Sequence, residues 1–467
     1  MRALELKGIC KSFGTIVAND SVDLVVEKGS IHALIGENGA GKTTAMNIAA
    51  GLLQADRGEI WVQGVHKSPF RQPLDALLCG IGMVHQHFML AGAMTAFENI
   101  VLGSGFMPFS KKKKKEELLA LAKKFGILVD LDMPVECMSV GEQQRVEILK
   151  VLSRKVSLLI CDEPTAVLTP QEVERFFDQL RLLKIQGTSV ILITHKLHEV
   201  MRVADQVSVF RQGRVVAHSK VSDTNAEALA FAMLGSRVAP VQVIRRPRSA
   251  DKVLELKNCE LKPGAHVSFD VHAGEIVGIA GVEGNGQLEL FEALMTTSSL
   301  KRSIVVDDRL VSGVIPAWSV WENFILGNQD TFFPHGVADK QKMRQSCMQA
   351  LQEYGVKPLD CDARFGTLSG GNQQKVVIAR ALYQQPRCLI AAQPTRGVDL
   401  GAVALIHQKL LAARDAGCGI VLISSELEEI MSLSDRIFVL FRGAFVGIFT
   451  PDTYDEALLG RCMGGTH

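Results

Sequence analysis

A glycine-rich segment near the N-terminus has the residue types and spacing needed to bind the phosphates of a nucleotide. It matches the pattern G-x-x-x-x-G-K-[ST] and lies between an apolar run and a helical pattern. Its residues are Gly36, Glu37, Asn38, Gly39, Ala40, Gly41, Lys42, Thr43 and Thr44. Backbone N–H groups in such a loop can surround phosphate oxygens, while the lysine pairs with the β- and γ-phosphates and the threonine hydroxyl binds Mg²⁺. We therefore predict a phosphate-binding loop rather than a chance glycine turn.

An acidic pair and a histidine follow two other apolar runs in the same half of the chain. Asp162 and Glu163 come directly after residues 158–161 and precede a proline. Aspartate can hold Mg²⁺ through water and glutamate can activate an attacking water, whereas the alternative is a pair of surface carboxylates. His195 follows the apolar run 191–194, where it could contact a γ-phosphate. A lone histidine at a strand end is usually structural, so its interval from Asp162 is what favours a functional role.

The intervals among these motifs recur in the second half of the chain. They are 23 residues from Ser139 to Asp162 and from Ser369 to Ala392, and 33 residues from Asp162 to His195 and from Ala392 to Ser425. Equal internal spacing indicates a duplicated domain. The counterparts of Lys42, Thr43, Asp162, Glu163 and His195 are Gln287, Leu288, Ala392, Gln393 and Ser425. Only the first half therefore keeps a complete set of catalytic residue types.

Short β-branched runs alternate with helical patterns in both halves, which predicts an α/β fold with a mainly parallel sheet in each. The predicted buried strands are residues 31–35, 158–160 and 190–193, and then 276–279, 389–390 and 420–423. A stretch with prolines, arginines and no apolar periodicity separates the halves. We predict a first domain over residues 1–238, a linker over 239–252 and a second domain over 253–467.

The second half is shorter than the first at one place. Lys42 and Gln86 are 44 residues apart, whereas their counterparts Gln287 and Asp307 are 20 apart, so about 24 residues are missing. In the first half this stretch includes residues 58–64, whose pattern predicts a β-hairpin. We therefore predict a trimmed accessory sheet in the second domain.

Composition and charge narrow the possible partners and compartments. The formal net charge is +1, which gives no indication of nucleic acid as the main partner. The lysine run 111–115 could form a patch for lipid headgroups or nucleic acid, but two glutamates follow at once, which favours a solvated helix face. The ten cysteines contain no CxxC pair, as expected of reduced thiols in a cytosolic protein. We find no apolar run of the roughly 18–20 residues that span a bilayer, and no signal-peptide pattern.

The most specific string in the chain is LSGGNQQ at residues 368–374, a second phosphate-binding device at a helix start. Together with the phosphate loop, Gln86, the acidic pair and His195, it closely resembles the ATP-binding-cassette ATPases over almost the whole chain. The resemblance implies two tandem P-loop cassettes, each with a sheet core and a helical subdomain, and ATP with Mg²⁺ as ligands. It implies catalytic roles for Glu163, His195, Gln86 and Lys42, and metal-binding roles for Thr43, Gln86 and Asp162.

In that family each ATP lies between the phosphate loop of one cassette and the signature string of the other. The resemblance therefore implies an intact composite site, which adds Ser369, Gly370, Gly371 and Asp399 of the second half to the first-half residues. The opposite site would combine the altered second-half loop with Ser139 and the first-half loop 166–169, which lacks an aspartate like Asp399. Phe13 matches the aromatic residue that stacks on adenine in the family, although a core phenylalanine is the alternative.

Several strings are more similar to one branch of the family, the nucleoside (basic-membrane-protein) importers. These strings are residues 82–90, 139–150 and 391–397. The branch implies an ATPase on the cytoplasmic face of the inner membrane that energises import of a nucleoside or a related ring-bearing solute such as riboflavin. Its partners would be two integral-membrane permease subunits and, indirectly, a periplasmic or lipoprotein solute-binding protein, with no nucleic acid. A monosaccharide importer is the alternative substrate class.

Two other functional classes share these motifs. Tandem ATPases that act on ribosomes or DNA typically carry two competent sites and a long charged linker or inserted zinc motifs. Here the linker is short, the net charge is near zero and no CxxC pair occurs. A regulatory ATP sensor without transport is the third alternative, which co-purification with two membrane subunits would distinguish from a transporter.

Overall fold

The computed structural model describes the chain except for residues 15, 68–69, 87, 104–109, 166–167, 169, 236–247, 283, 297–301, 334–337, 452, 454–455 and 466–467. It divides into two compact units, Met1–Val238 and Ala239–His467. The predicted linker over 239–252 falls largely outside the described residues, and the first strand of the second unit begins at its last residue, Lys252.

The first unit is built from ten strands and eight α-helices among the described residues. In chain order they are β1 (Arg2–Phe13), β2 (Ile16–Glu27), β3 (Ile31–Gly36), α1 (Lys42–Ala49), β4 (Arg57–Val62), β5 (Val65–His66), α2 (Pro73–Leu78), β6 (Ile81–Val84), α3 (Ala96–Val101), α4 (Lys111–Lys124), α5 (Val140–Leu152), β7 (Leu158–Asp162), α6 (Pro170–Ile185), β8 (Ser189–Ile193), α7 (Leu197–Val203), β9 (Gln206–Arg211), β10 (Arg214–Lys220) and α8 (Ala226–Leu234). Short 3₁₀ turns lie at Val135–Cys137 and Val221–Asp223.

The core of this unit is a six-stranded sheet in the order β10-β9-β3-β8-β7-β6. All its pairs are parallel except β9 with β10. Strands β3, β7 and β8 are buried along their whole length, which explains their continuous apolar sequences. Because parallel strands end at one edge of the sheet, the residues that follow β3, β7 and β8 are brought together there.

Two further layers complete the first unit. An antiparallel accessory sheet has the order β2-β1-β4-β5, and its β4–β5 hairpin confirms the one predicted over residues 58–64. Helices α3, α4 and α5 share a separate apolar cluster that includes Phe97, Leu118 and Val146. The lysine run does begin a helix, α4, and Ser110 caps it by accepting a hydrogen bond from the Lys113 N–H.

The second unit repeats this plan with fewer accessory strands. Its elements are β11 (Lys252–Lys262), β12 (Ala265–His272), β13 (Ile276–Ala280), α9 (Gln287–Thr296), β14 (Arg302–Val305), α10 (Val320–Ile325), α11 (Gln329–Phe332), α12 (Lys340–Glu353), α13 (Gly370–Leu382), β15 (Cys388–Ala392), α14 (Leu400–Asp415), β16 (Gly419–Ser424), α15 (Leu427–Leu433), β17 (Arg436–Phe441), β18 (Ala444–Phe449) and α16 (Glu456–Met463). A π-helical turn spans Arg309–Gly313, and a 3₁₀ turn spans Phe365–Thr367.

The core sheet of the second unit has the order β14-β15-β16-β13-β17-β18, which matches the first unit strand for strand. Its accessory sheet has two strands, β11 and β12, against four in the first unit, over the residues that the structure describes. The predictions of a duplicated α/β fold and a trimmed accessory sheet are therefore confirmed. In neither unit does the described part of the chain contain a helix with the length and apolarity needed to cross a membrane.

Candidate nucleotide site

The phosphate-loop residues lie where the sequence predicts, between the end of β3 and the start of α1. Two of the glycines are required by close packing. A Cβ atom on Gly36 would lie 2.4 Å from the Phe210 carbonyl oxygen, and one on Gly41 would lie 2.3 Å from that of Ala18. Gly39 and Gly41 also have φ angles of 80° and 97°, which favour glycine. The loop conformation is thus imposed by the β9 and β2 segments that pack against it.

Lys42 is buried inside the loop that it follows. Its Nζ atom donates hydrogen bonds to the carbonyl oxygens of Gly36, at 2.7 Å, and Glu37, at 3.0 Å. Burial lowers the pKa of Lys42, while the nearby carboxylates of Glu163 and Asp162 favour its charged form. The ammonium group is therefore held at the centre of the loop, where a phosphate would need a cation.

The acidic pair ends strand β7 beside this lysine. The Thr43 hydroxyl donates to Asp162 Oδ1 over 3.4 Å, so the two predicted metal-binding groups face each other. Asp162 is 3% exposed, and burial raises its pKa to about 6. The hydrogen bond from Thr43 and the charge of Lys42 offset this burial only in part, so a further cation would favour the ionised carboxylate.

Glu163 is held by the two residues that the sequence assigns to the same site. Gln86 Nε2 donates to Glu163 Oε2 at 3.1 Å, and His195 Nδ1 lies 3.2 Å from Glu163 Oε1. Burial acts to raise the pKa of Glu163, but the hydrogen bond and charge of His195, with the charge of Lys42, bring it below its ordinary value. The carboxylate is therefore ionised at neutral pH and oriented from both sides, as a proton acceptor must be.

A buried carboxylate that the sequence analysis missed braces the loops after β7 and β8. Glu199 is 1% exposed, and its two oxygens accept hydrogen bonds from the hydroxyls of Thr165, at 2.5 Å, and Thr194, at 2.9 Å. These threonines lie next to the acidic pair and to His195. The signal was present, because Glu429 stands at the same interval after Ser425 in the second half.

The remaining predicted residues of the first unit lie in the phosphate loop, at the start of α1 and at the end of β1. Asn38 and Gly39 are exposed at the loop tip, Ala40 is buried, and Thr44 is partly buried in the first turn of α1. Phe13 ends β1 with half of its surface exposed, which excludes the alternative of a core phenylalanine. The Nζ atom of Lys11 lies 5.8 Å from the centroid of its ring.

In the second unit, the Gln287 side chain lies inside the equivalent loop. Gln287 Nε2 donates to the Val282 carbonyl oxygen at 2.7 Å, and Gln287 Oε1 accepts from the Asn285 N–H at 3.2 Å. In addition, Lys262 Nζ donates to the Gly284 carbonyl oxygen at 2.7 Å. A neutral carboxamide thus occupies the place of Lys42 and uses a backbone donor that a phosphate would need.

The second unit keeps the contact between the positions of Glu163 and His195, but with different residue types. Gln393 Oε1 accepts from the Ser425 N–H at 3.2 Å and from its hydroxyl at 3.3 Å, so this pair takes the place of Glu163 and His195. Ala392 offers no ligand for a metal, and the apolar Leu288 is 67% exposed in place of Thr43. Neither Ala392 nor Gln393 supplies the carboxylate that the first unit has at Asp162 and Glu163 to hold Mg²⁺ and to accept a proton from water.

Asp307, the counterpart of Gln86, is tied to a different neighbour. Arg396 NH1 lies 2.9 Å from Asp307 Oδ1 and 3.1 Å from Oδ2. Gln86 instead contacts Glu163 of its own unit. The two segments that follow β6 and β14 are therefore fixed by different partners.

The two signature serines differ in how their hydroxyls are used. Ser139 Oγ donates to Glu142 Oε2 at 2.8 Å, within a capping box at the start of α5. Asn372 stands at the position of Glu142 in the second unit, and its Nδ2 donates to Ser369 Oγ at 2.9 Å. The residue that contacts the Ser369 hydroxyl is thus a neutral amide rather than a carboxylate, which suits a phosphate ligand at the start of α13.

The loop before α14 packs against this signature. Asp399 Oδ1 accepts from the Ala402 N–H at 2.7 Å and caps α14. A Cβ atom on Gly371 would lie 2.5 Å from Asp399 Oδ2, so the glycine is needed for this contact. Most of the matching first-half loop, 166–169, lies outside the described residues.

Comparison with known proteins gives matches over most of the chain. The family model described as ABC transporter matches residues 19–166 and 265–396. The nucleoside import ATP-binding protein NupA of Lactococcus lactis is 40% identical, over 99% of this chain and 98% of that protein. The guanosine import ATP-binding protein NupO of Bacillus subtilis is 41% identical, over 99% and 97%. A ribose import ATP-binding protein, RbsA of Lactococcus lactis, is 35% identical over 99% of both chains.

Proposed function

This chain belongs to the ABC transporter family, and from that premise we propose that it is the ATP-hydrolysing subunit that energises import of a nucleoside or related solute. ATP is its substrate and the energy source. The observation that carries the proposal is the first-unit arrangement of Lys42, Glu163 and His195 around one edge of the core sheet.

Hydrolysis requires a group that takes a proton from the attacking water, and Glu163 is that group. Its carboxylate is kept ionised and is oriented by Gln86 and His195. Lys42 and the N–H groups of the phosphate loop stabilise negative charge on the phosphates. Phe13, exposed at the end of β1, supplies a face on which an adenine ring can stack.

Thr43 and Asp162 fit a Mg²⁺ ion, because both offer oxygen ligands and Asp162 is a buried carboxylate beside the Thr43 hydroxyl. Gln86 adds a third oxygen at the same edge of the sheet. When bound, Mg²⁺ neutralises charge that develops on the β- and γ-phosphate oxygens.

The second unit contributes residues to the nucleotide site of the first unit and has no competent site in its own phosphate loop. Gln287 fills its phosphate loop, and Ala392 and Gln393 cannot act as metal ligand and base. Ser369, Gly370, Gly371 and Asp399 keep the residue types of an intact signature and complete the nucleotide site of the first unit. The chain therefore has one competent composite ATP site.

The proposed solute is a nucleoside, because the relatives with 40–41% identity are named as nucleoside and guanosine import proteins. Two integral-membrane permease subunits carry the solute, and a periplasmic or lipoprotein binding protein delivers it. The chain acts at the cytoplasmic face of the inner membrane. Riboflavin, another ring-bearing solute, is tested beside the nucleosides. A monosaccharide is the alternative, favoured by the ribose import protein at 35% identity.

Uptake by proteoliposomes tests the proposal. The chain is reconstituted with the permease subunits encoded beside it and their binding protein, with ATP inside the vesicles. We expect uptake of labelled guanosine and little uptake of ribose. Glu163→Gln is the control that should stop uptake without preventing assembly. Uptake of ribose alone would favour the alternative, and an assembled complex without ATP-dependent uptake of any tested solute would contradict the transport function.

A further inference from the structure

We propose that Arg309 is a positioning residue for ATP hydrolysis, because it holds the signature segment Ser369–Gly371 in register with the loop that leads to Asp399. The inference rests on the proposed function, in which this segment completes the nucleotide site of the first unit. It adds a role for the segment after β14, which has lost the glutamine of its first-unit counterpart.

The guanidinium of Arg309 joins two parts of the second unit. Its Nε donates to Gln373 Oε1 in the second turn of α13, and its NH1 donates to the Arg396 carbonyl oxygen, both at 3.2 Å. The Gln373 side chain also donates to the Leu368 carbonyl oxygen at 3.0 Å. Arg309 therefore links the residues on both sides of Ser369 to the loop between β15 and α14.

The first signature glycine makes room for this link. A Cβ atom on Gly370 would lie 2.7 Å from Arg309 NH2 and 3.1 Å from the Gly397 carbonyl oxygen. The first unit has Val140 at the position of Gly370 and Phe88 at the position of Arg309. The small residue and the arginine thus occur together in the unit whose signature is intact, and neither occurs in the other unit.

A second arginine anchors the same loop from the opposite direction. One guanidinium nitrogen of Arg396 donates to both carboxylate oxygens of Asp307 and joins the loop to the segment that carries Arg309, so this segment contacts the loop twice. Arg309 is itself partly buried, between α13 and the loop. A hydrogen-bonded frame of Asp307, Arg309, Gln373 and Arg396 therefore lies beside the signature.

The test compares Arg309→Met and Arg309→Lys with Arg344→Met, a matched change of an arginine that pairs with Asp362 on the surface of the same unit. The readouts are kcat for ATP hydrolysis in the permease complex, the Kd of a fluorescent ADP analogue, and the melting temperature. We expect Arg309→Met to lower kcat about 10- to 100-fold, because a misplacement of about 1 Å is enough for such a loss. The Kd should not change, because the phosphate loop of the first unit is untouched.

Arg309→Lys should recover part of the rate, since lysine keeps the charge but cannot make both hydrogen bonds. Arg344→Met should keep the parental kcat. If Arg309→Met unfolds, Arg309→Lys decides the question by its kcat at unchanged melting temperature. If a folded Arg309 variant has the parental kcat while Ser369→Arg is inactive, the role of Arg309 is refuted and the composite site is not. Full activity of Ser369→Arg would instead refute the composite site on which it rests.

Discussion

Glu163 and Gln393 occupy equivalent places in the two units and have nearly the same unusual backbone conformation. Their φ angles are 45° and 47°, and their N–H groups donate to the carbonyl oxygens of Ile193, at 3.0 Å, and Ile423, at 2.7 Å. Positive φ at a non-glycine residue costs energy, so the surrounding structure must enforce it. The second unit therefore has the same strained backbone at this position, with an amide in place of the carboxylate.

This relationship predicts that a substitution of Glu163 removes hydrolysis and that the reverse substitution of Gln393 does not restore it. Glu163→Gln should lower kcat about 10²–10⁴-fold, because the proton acceptor is lost while the shape of the site is kept. Binding of ATP should remain. Gln393→Glu, the matched reverse change, should not restore turnover to the Glu163→Gln chain, since Gln287, Leu288 and Ala392 are still present. Steady-state release of phosphate measures both, and substantial turnover by Glu163→Gln would contradict the assignment.

The two signature serines should respond differently to the same substitution. Ser369→Arg should abolish ATP hydrolysis, because the new side chain fills the position of the γ-phosphate in the intact site. Ser139→Arg should reduce it much less, since its partner loop is already filled by Gln287. Phosphate release by the two variants, with equal assembly into the permease complex, provides the comparison. Equal loss of activity would show that the two sites are not divided in this way.

The number of nucleotides bound per chain gives an independent measurement. With hydrolysis blocked by Glu163→Gln, calorimetry should find one MgATP per chain. Addition of Lys42→Ala should remove that binding, because the first loop then lacks its cation. The second loop should not bind nucleotide instead, because the Gln287 carboxamide already uses its Val282 carbonyl and Asn285 N–H. Two equivalents per chain, or binding that survives Lys42→Ala, would mean that the second loop opens to nucleotide.

The phosphate loop, the acidic pair and His195 could be placed from the sequence, because each follows an apolar run that forms a strand of a mainly parallel sheet. The repeated interval to Glu429 marks Glu199, but the contacts of Glu199 and the frame around Arg309 could not be predicted, because their partners come from elements that share no local pattern. Glu199 joins two threonines 29 residues apart, Thr165 and Thr194, and Arg309 reaches Gln373 across 64 residues. Such contacts depend on how helices pack on the sheet, which periodicity leaves open.

Stability of the first unit should depend on pH through a buried histidine. Burial lowers the pKa of His32 to about 3, the charge of His218 acts in the same direction, and the Gln206 side chain, which favours the protonated ring, opposes them. Below pH 6.5 the unfolded chain takes up a proton at this residue and the folded chain does not. The free energy of unfolding should therefore fall by about 1.4 kcal/mol for each pH unit below 6.5. Above pH 6.5 the contribution of His32 to stability should be fully present.

Urea denaturation at pH 7.5 and 5.5 checks this dependence. Fluorescence of Trp61, with Trp318 and Trp321 replaced by Phe, reports on the first unit alone. His32→Phe should reduce the loss of stability at pH 5.5, and it leaves the Ser208 hydroxyl bonded to His218. His66→Gln, a change at an exposed histidine of the same unit, should leave the loss as it is. An unchanged pH dependence in His32→Phe would exclude His32 as its source.

The two segments that follow β6 and β14 should contact the permease in different ways. Gln86 contacts Glu163 and so lies where nucleotide binds, whereas Asp307 is held by Arg396. We expect a contact that changes with nucleotide at about residues 88–110 and a largely static one at about 313–333. Part of the first segment, 104–109, lies outside the described residues, but Met89 and Leu102 are 63% and 56% exposed.

Cysteine cross-linking to the permease tests this asymmetry. Met89→Cys and Trp318→Cys each place a thiol on an exposed position of one segment, in a chain whose exposed Cys137 is replaced by Ser. ATP should change the cross-linking yield of Met89→Cys and leave that of Trp318→Cys unaltered. Asp307→Asn, which weakens the pair with Arg396, should make the second segment respond as well. If both segments respond equally in the parental chain, the difference between the units is confined to hydrolysis and does not reach the permease.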